Sequence, residues 1–85
     1  MATDALLALT LYTRSGCHLC DNMMAGLRWL QASHGFAVTL IDVDQDPALE
    51  ERYGKRVPVL VGGARELCQH FLEPAAVTAF LSEIR

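Results

Sequence analysis

The sequence predicts an α/β fold in the order β-α-β-α-β-β-α, a four-stranded mixed sheet with helices on both faces. Three observations carry that expectation. Short apolar runs alternate with segments whose apolar residues recur at helical spacing. The first half reads as a βαβ unit, which implies a parallel strand pair. Near the end of the chain, Gly62-Gly63 separates two strand-like runs and marks a hairpin.

The elements follow in order. Leu7-Ala8-Leu9-Thr10-Leu11-Tyr12 is short and apolar, and ends in the turn chemistry of Ser15-Gly16; it reads as a strand buried on both faces. From His18 to Ser33, Leu19, Met23, Leu27 and Leu30 form one apolar stripe of a helix, with Gly35 as its C-terminal cap. Phe36 to Val43 is β-branched and apolar, a second strand. Asp46-Pro47 supplies an N-cap and a proline at the first position of a short helix that runs to Tyr53 and stops at Gly54. Val57 to Val61 is a strand that opens with a proline, and Ala64 to His70 is its hairpin partner. Glu73-Pro74 starts a last helix, with Val77, Phe80, Leu81 and Ile84 on its apolar side.

The 85 residues make one domain, residues 1–85. A chain this short buries only about 60–65% of the surface its unfolded form exposes. Its 52% hydrophobic content suits that task. A net charge of −3, with Lys55-Arg56 as the only adjacent cations, argues against nucleic acid as a partner. No apolar stretch approaches the roughly 20 residues that span a bilayer. Met1-Ala2-Thr3-Asp4 lacks the basic region and long apolar core of a signal peptide, so a cytoplasmic, reducing location is the expectation. In such a compartment three cysteines, an odd number, are reactive or buried thiols rather than a disulfide framework.

The stretch "SGCHLCD" carries the chemistry. Cys17 falls at the junction of the first strand and first helix, and Cys20 lies about one turn further in. Positions three apart on a helix are close enough for a disulfide after modest adjustment. The unpaired N–H groups and positive dipole end of the helix favour a thiolate on the first cysteine, which makes it both a better attacker and a better leaving group. Cys17 is therefore the expected nucleophile and Cys20 the resolving thiol. Protonated His18 and Arg14 would reinforce the thiolate, whereas Asp21 would oppose it.

At these residues the sequence resembles a glutaredoxin-like protein of the thioredoxin superfamily, in particular the small bacterial glutaredoxin-like family. The run "LTLYTRSGCHLCDNM" is similar to that fold's opening, and "RYGKRVPVLVGG" to the segment with its cis-proline. The resemblance covers essentially the whole chain, without the extra N-terminal strand and helix of thioredoxin. It implies a thiol–disulfide oxidoreductase in which Pro58 is the cis-proline and the backbone of Val57 pairs with bound peptide or glutathione. It also puts Arg14 where glutaredoxins often carry a glutathione-binding lysine. Cys17 and Cys20 are thus the catalytic candidates, with Arg14, His18, Val57 and Pro58 on the substrate side. The expected partner is a disulfide-containing protein or a small thiol, acting on a monomer with no metal and no tightly bound cofactor, and with glutathione as a conceivable co-substrate.

The sequence departs from that family pattern in two places. His-Leu stands between the cysteines where glutaredoxins have Pro-Tyr, and Leu67-Cys68-Gln69-His70 occupies the region of the glycine pair that holds the γ-glutamyl end of glutathione. The fold inference survives these departures better than glutathione as substrate does. The alternative reading is a binding module holding a partner or a metal or iron–sulfur centre without turnover, with Cys17 and Cys20 joined by His18, Cys68 or His70. Cys68 is otherwise a buried thiol of the last strand. Asp42, Asp44 and Asp46 lack the glycine and glutamate of a calcium loop and read as strand end and helix cap. Trp29 lies off the first helix's stripe, which predicts partial exposure.

Overall fold

The structure, a computed structural model, describes residues 8–84, with the Ile84 side chain left out. The expected positions at Leu7 and in the first four residues, and the apolar role given to Ile84, lie outside that description. Four strands and three helices follow in the predicted order: β1 (Ala8–Thr13), α1 (His18–His34), β2 (Ala37–Asp42), α2 (Pro47–Tyr53), β3 (Val59–Gly62), β4 (Arg65–Gln69) and α3 (Pro74–Ile84). A short 3-10 turn, Val43–Gln45, separates β2 from α2. The sheet order is β2-β1-β3-β4. β1 and β2 are parallel; β1–β3 and β3–β4 are antiparallel.

Two apolar clusters, one on each sheet face, explain why the strands alternate. Leu9, Leu11 and Leu60 point to the face covered by Met23 and Leu27 of α1 and by Val77, Phe80 and Leu81 of α3. Val59 and Val61, with Tyr12, point to the other face, where Val43, Leu49 and Tyr53 cover them. There the Tyr12 and Tyr53 rings stack with centroids 4.1 Å apart. β1 was expected to be fully buried on both faces. Instead Leu9 and Leu11 are wholly buried while Thr10, Tyr12 and Thr13 are only half-buried, because the small helix α2 covers less of its face. β2 is an edge strand and correspondingly open.

Local chemistry sets most boundaries. Asp46 Oδ1 accepts from the Ala48 N–H at 2.9 Å, with Pro47 at the first helical position. Asp42 Oδ1 caps the 3-10 turn in the same way, at 2.9 Å from the Asp44 N. Gly35, at φ 61°, ends α1 and donates to the Gln31 carbonyl at 3.0 Å. Gly54, by contrast, keeps right-handed helical angles. The chain leaves α2 through a turn in which the Arg56 N–H donates to the Tyr53 carbonyl at 2.8 Å, rather than at a left-handed cap.

The hairpin turn sits one residue later than the Gly62-Gly63 pair suggested. Gly62 still pairs with Arg65, and the two-residue turn is Gly63-Ala64, with Gly63 at φ 60°. Gly62 serves packing instead: a Cβ there would lie 2.6–2.9 Å from three atoms of the Phe80 ring. No helix of the described residues is long and apolar enough to cross a membrane.

Candidate active site

Cys17 is the N-cap of α1. Its backbone is extended, at φ −95° and ψ 105°, and its Sγ accepts from the Cys20 N–H at 3.1 Å. Sulfur thus does here what a serine or aspartate oxygen usually does, satisfying one orphan donor of the first turn. The tight approach is set up by Gly16, whose φ of 74° lets the loop reverse before the helix. Cys17 and Cys20 are joined as a disulfide, with Cα atoms 5.2 Å apart. Their surroundings differ: Cys17 is partly exposed, whereas Cys20 is only 4% exposed.

His18 and Asp21 both lie exposed on the first turn of α1. The Asp21 N–H donates to the Cys17 carbonyl at 3.2 Å, so its main chain supports the turn while its carboxylate faces water.

Arg14 faces carboxylates. Nη2 lies 2.7 Å from Asp44 Oδ1 and 3.1 Å from Glu50 Oε2, and Nη1 donates to the Gly54 carbonyl at 3.0 Å. Hydrogen bonds donated by Arg14 hold the Asp44 carboxyl below its ordinary range, and donating to the Asp44 and Glu50 carboxylates raises the guanidinium further. Arg14 therefore ties the Cys17 loop to the 3-10 turn, to the middle of α2 and to its C-cap. Its charge is largely offset before it reaches the thiols. Asp44, read from sequence only as a strand-end residue, is one of its partners.

The Val57–Pro58 peptide bond is cis. Among the described residues neither the N–H nor the C=O of Val57 has a hydrogen-bond partner, because regular pairing of β3 begins only at Val59. Topology places this segment with the cysteines. Tyr12 pairs with Val59, and Val59 with Gln69. The loop after β1, the segment before β3 and the turn after β4 thus share one end of the sheet. Arg56 fixes the last two together, with Nη1 at 2.6 Å from Glu66 Oε1 and 3.1 Å from Gln69 Oε1. The adjacent cations of Lys55-Arg56 are therefore half neutralised.

Cys68 lies buried on β4, where its Sγ accepts from the Glu73 N–H at 3.4 Å. Burial pushes its pKa up, so it is the least reactive kind of thiol. Among the described residues no three His, Cys, Asp or Glu side chains converge on one metal position. Trp29 is fully on the surface, 79% exposed.

Sequence reasoning passed over the turn after β4. His70 has φ 66° and its N–H donates to the Pro58 carbonyl at 2.8 Å; Phe71 beside it is exposed. The one sequence signal was the replacement of a glycine pair at this place.

A mixed sheet of this order, with a cis-proline before β3 and a Cys-x-x-Cys pair opening α1, defines a thioredoxin-superfamily fold. Within it, the chain belongs to the family described as Glutaredoxin-like domain (DUF836), which it matches over residues 8–82. It is similar to protein Ne2328 from Nitrosomonas europaea, solved by NMR, at 41% identity and a TM-score of 0.78, covering 86% of this chain and 88% of that one. Protein XcR50 from X. campestris gives 41% identity and a TM-score of 0.66, covering 88% and 96%. The germline-specific thioredoxin Deadhead of Drosophila melanogaster shares the fold, with a TM-score of 0.59 at 24% identity over 99% of this chain and 86% of that one. An uncharacterized protein of Mycobacterium tuberculosis, Rv0508, is 36% identical over 61 residues, 66% of this chain. The match spans 63% of that relative's length.

Proposed function

We propose that this chain is a thiol–disulfide oxidoreductase that reduces disulfides or mixed disulfides through the Cys17/Cys20 dithiol. The thiolate of Cys17 attacks one sulfur of the substrate disulfide, forming a mixed disulfide and expelling the other sulfur as a thiolate. Cys20 then loses its proton and attacks Cys17 Sγ, releasing the second substrate thiol and closing the Cys17–Cys20 bond. Two electrons pass from protein to substrate; Cys20 gives up one proton, and solvent supplies the other that the two released thiolates need. A cellular thiol reductant, glutathione or a dedicated protein, restores the dithiol. A reducing cytoplasm, with the chain acting as a monomer, suits this cycle.

The observation that carries the reading is the unequal pair at the helix start. Cys17 is partly exposed and its Sγ accepts from the Cys20 N–H, an arrangement that favours negative charge on sulfur. Cys20 is buried one turn along, within disulfide reach. The unpaired Val57 main chain at the same end offers an edge for an extended substrate. The test is trapping: Cys20→Ser should accumulate a stable mixed disulfide at Cys17 when given a small disulfide. Cys17→Ser should abolish disulfide reduction. Full reductase activity in Cys17→Ser would end the proposal.

A further inference from the structure

The turn after β4 has features that the exchange chemistry does not require. His70 holds φ 66°, and the Phe71 N–H folds back onto the Gln69 carbonyl at 2.7 Å. A three-residue turn with positive φ at a non-glycine residue is strained and persists only where its surroundings hold it. It is anchored on both sides. The His70 N–H donates to the Pro58 carbonyl at 2.8 Å. Leu72 fills the gap over Gly26 of α1, where a Cβ would sit only 2.5 Å from its Cδ2.

Phe71, held between these anchors, is turned outward and is 67% exposed. Among the described residues, Trp29 and Leu40 are the other exposed large apolar side chains. Trp29 lies about three turns along α1, and Leu40 lies within edge strand β2, so neither shares Phe71's place in the turn beside the cis-proline. Val57 and Phe71 each stand two residues beyond the Val59–Gln69 pair, past the adjoining ends of the neighbouring strands β3 and β4. A chain lying extended along Val57 would meet unpaired main-chain groups, and the His70 N–H bond to the Pro58 carbonyl sets the exposed Phe71 one residue from that segment.

Charge separates the candidate occupants. Arg14 is spent on Asp44 and Glu50, and Arg56 on Glu66. Exposed Asp21 and Glu73 add negative charge at the starts of α1 and α3. On the turn before Val57, Lys55 is the cation without an ion pair among the described residues. Glutathione carries two carboxylates that need cations, whereas a neutral apolar peptide needs none.

We propose that Phe71 is a specificity residue that receives an apolar side chain of an extended polypeptide docked along Val57. The site then favours polypeptide disulfides over small anionic ones such as glutathione disulfide. This inference rests on the dithiol reading above for its redox step and deepens it by naming the substrate class.

The test compares a flexible, uncharged peptide whose single disulfide is flanked by leucine and valine with oxidised glutathione, both offered to the reduced protein. Wild type should show the higher kcat/KM for the peptide. Phe71→Ser should lower the ratio of the two kcat/KM values about ten-fold, through KM for the peptide, and Phe71→Leu should restore most of it. In parallel, the same peptide with serine for cysteine is titrated into isotope-labelled protein. It should shift the amide resonances of Val57, His70 and Phe71, and bind more weakly to Phe71→Ser. A glutathione disulfide preference in wild type, or an unchanged ratio in Phe71→Ser, overturns the inference while leaving the dithiol reading intact. If neither disulfide is reduced but the serine peptide still binds through Phe71, the redox reading falls and the docking inference stands.

Discussion

The three cysteine sulfurs of this small chain are given three different environments. Cys17 is partly exposed and hydrogen-bonded by a helix N-terminal N–H; Cys20 is buried one turn later; Cys68 is buried on β4 with its pKa raised by burial. Iodoacetamide added to the reduced native protein should therefore modify Cys17 first. Cys68 should react only on unfolding, as peptide mapping would show; early labelling of Cys68 would refute the assignment. Arg14 yields a second expectation. Hydrogen bonding to Arg14 depresses the folded pKa of Asp44, so its contribution to stability is present above the ordinary carboxylate value of about 4 and is lost as pH falls through the folded value. Asp44→Asn should accordingly melt below wild type at neutral pH, with the difference in Tm closing toward zero in acid. A difference constant with pH would mean that the pair contributes through packing alone. At this scale the cysteine motif was legible because its meaning depends on spacing along the chain. The partners of Arg14 were not, because Asp44 and Glu50 lie 30 and 36 residues away.

Elements were legible wherever their ends are set locally. Asp46-Pro47 opened α2 and Gly35 closed α1 as their chemistry required. The hairpin turn was misplaced by one residue because Gly62 answers to Phe80, a residue of α3 that no local pattern reveals. Two glycine substitutions separate the kinds of contact involved. In Gly62→Ala the new methyl meets a rigid, buried ring, and the cost should be about 1–3 kcal/mol despite the usual gain in strand propensity. In Gly26→Ala the obstacle is the tip of the flexible Leu72 side chain. There the gain of up to about 1 kcal/mol from replacing a helical glycine offsets the rearrangement, and stability should stay within about 1 kcal/mol of wild type. Urea unfolding of both variants checks the contrast; equal losses would contradict it. The replaced glycine pair marked the place of the His70-Phe71 turn but not its shape, which is held by Pro58 and Leu72.

For the whole molecule, the sheet order β2-β1-β3-β4 is what turns distant sequence segments into one site. Because β1 runs antiparallel to β3, and β3 to β4, the residues after β1, before β3 and after β4 emerge together. The fold class was readable from element order, and the family match over residues 8–82 agrees with it. The identity of the substrate was not, because it depends on how charges and apolar groups from all three segments are offset or exposed at that end. On the proposed cycle, Cys17 and Cys20 form a reversible two-electron couple. The direct measurement is a redox titration of wild-type protein in dithiothreitol buffers, quenched with an alkylating agent under denaturing conditions and read by mass spectrometry. One two-electron transition is expected, between a protein alkylated at all three cysteines and one alkylated only at Cys68. No such transition, or one that consumes Cys68, would contradict that cycle.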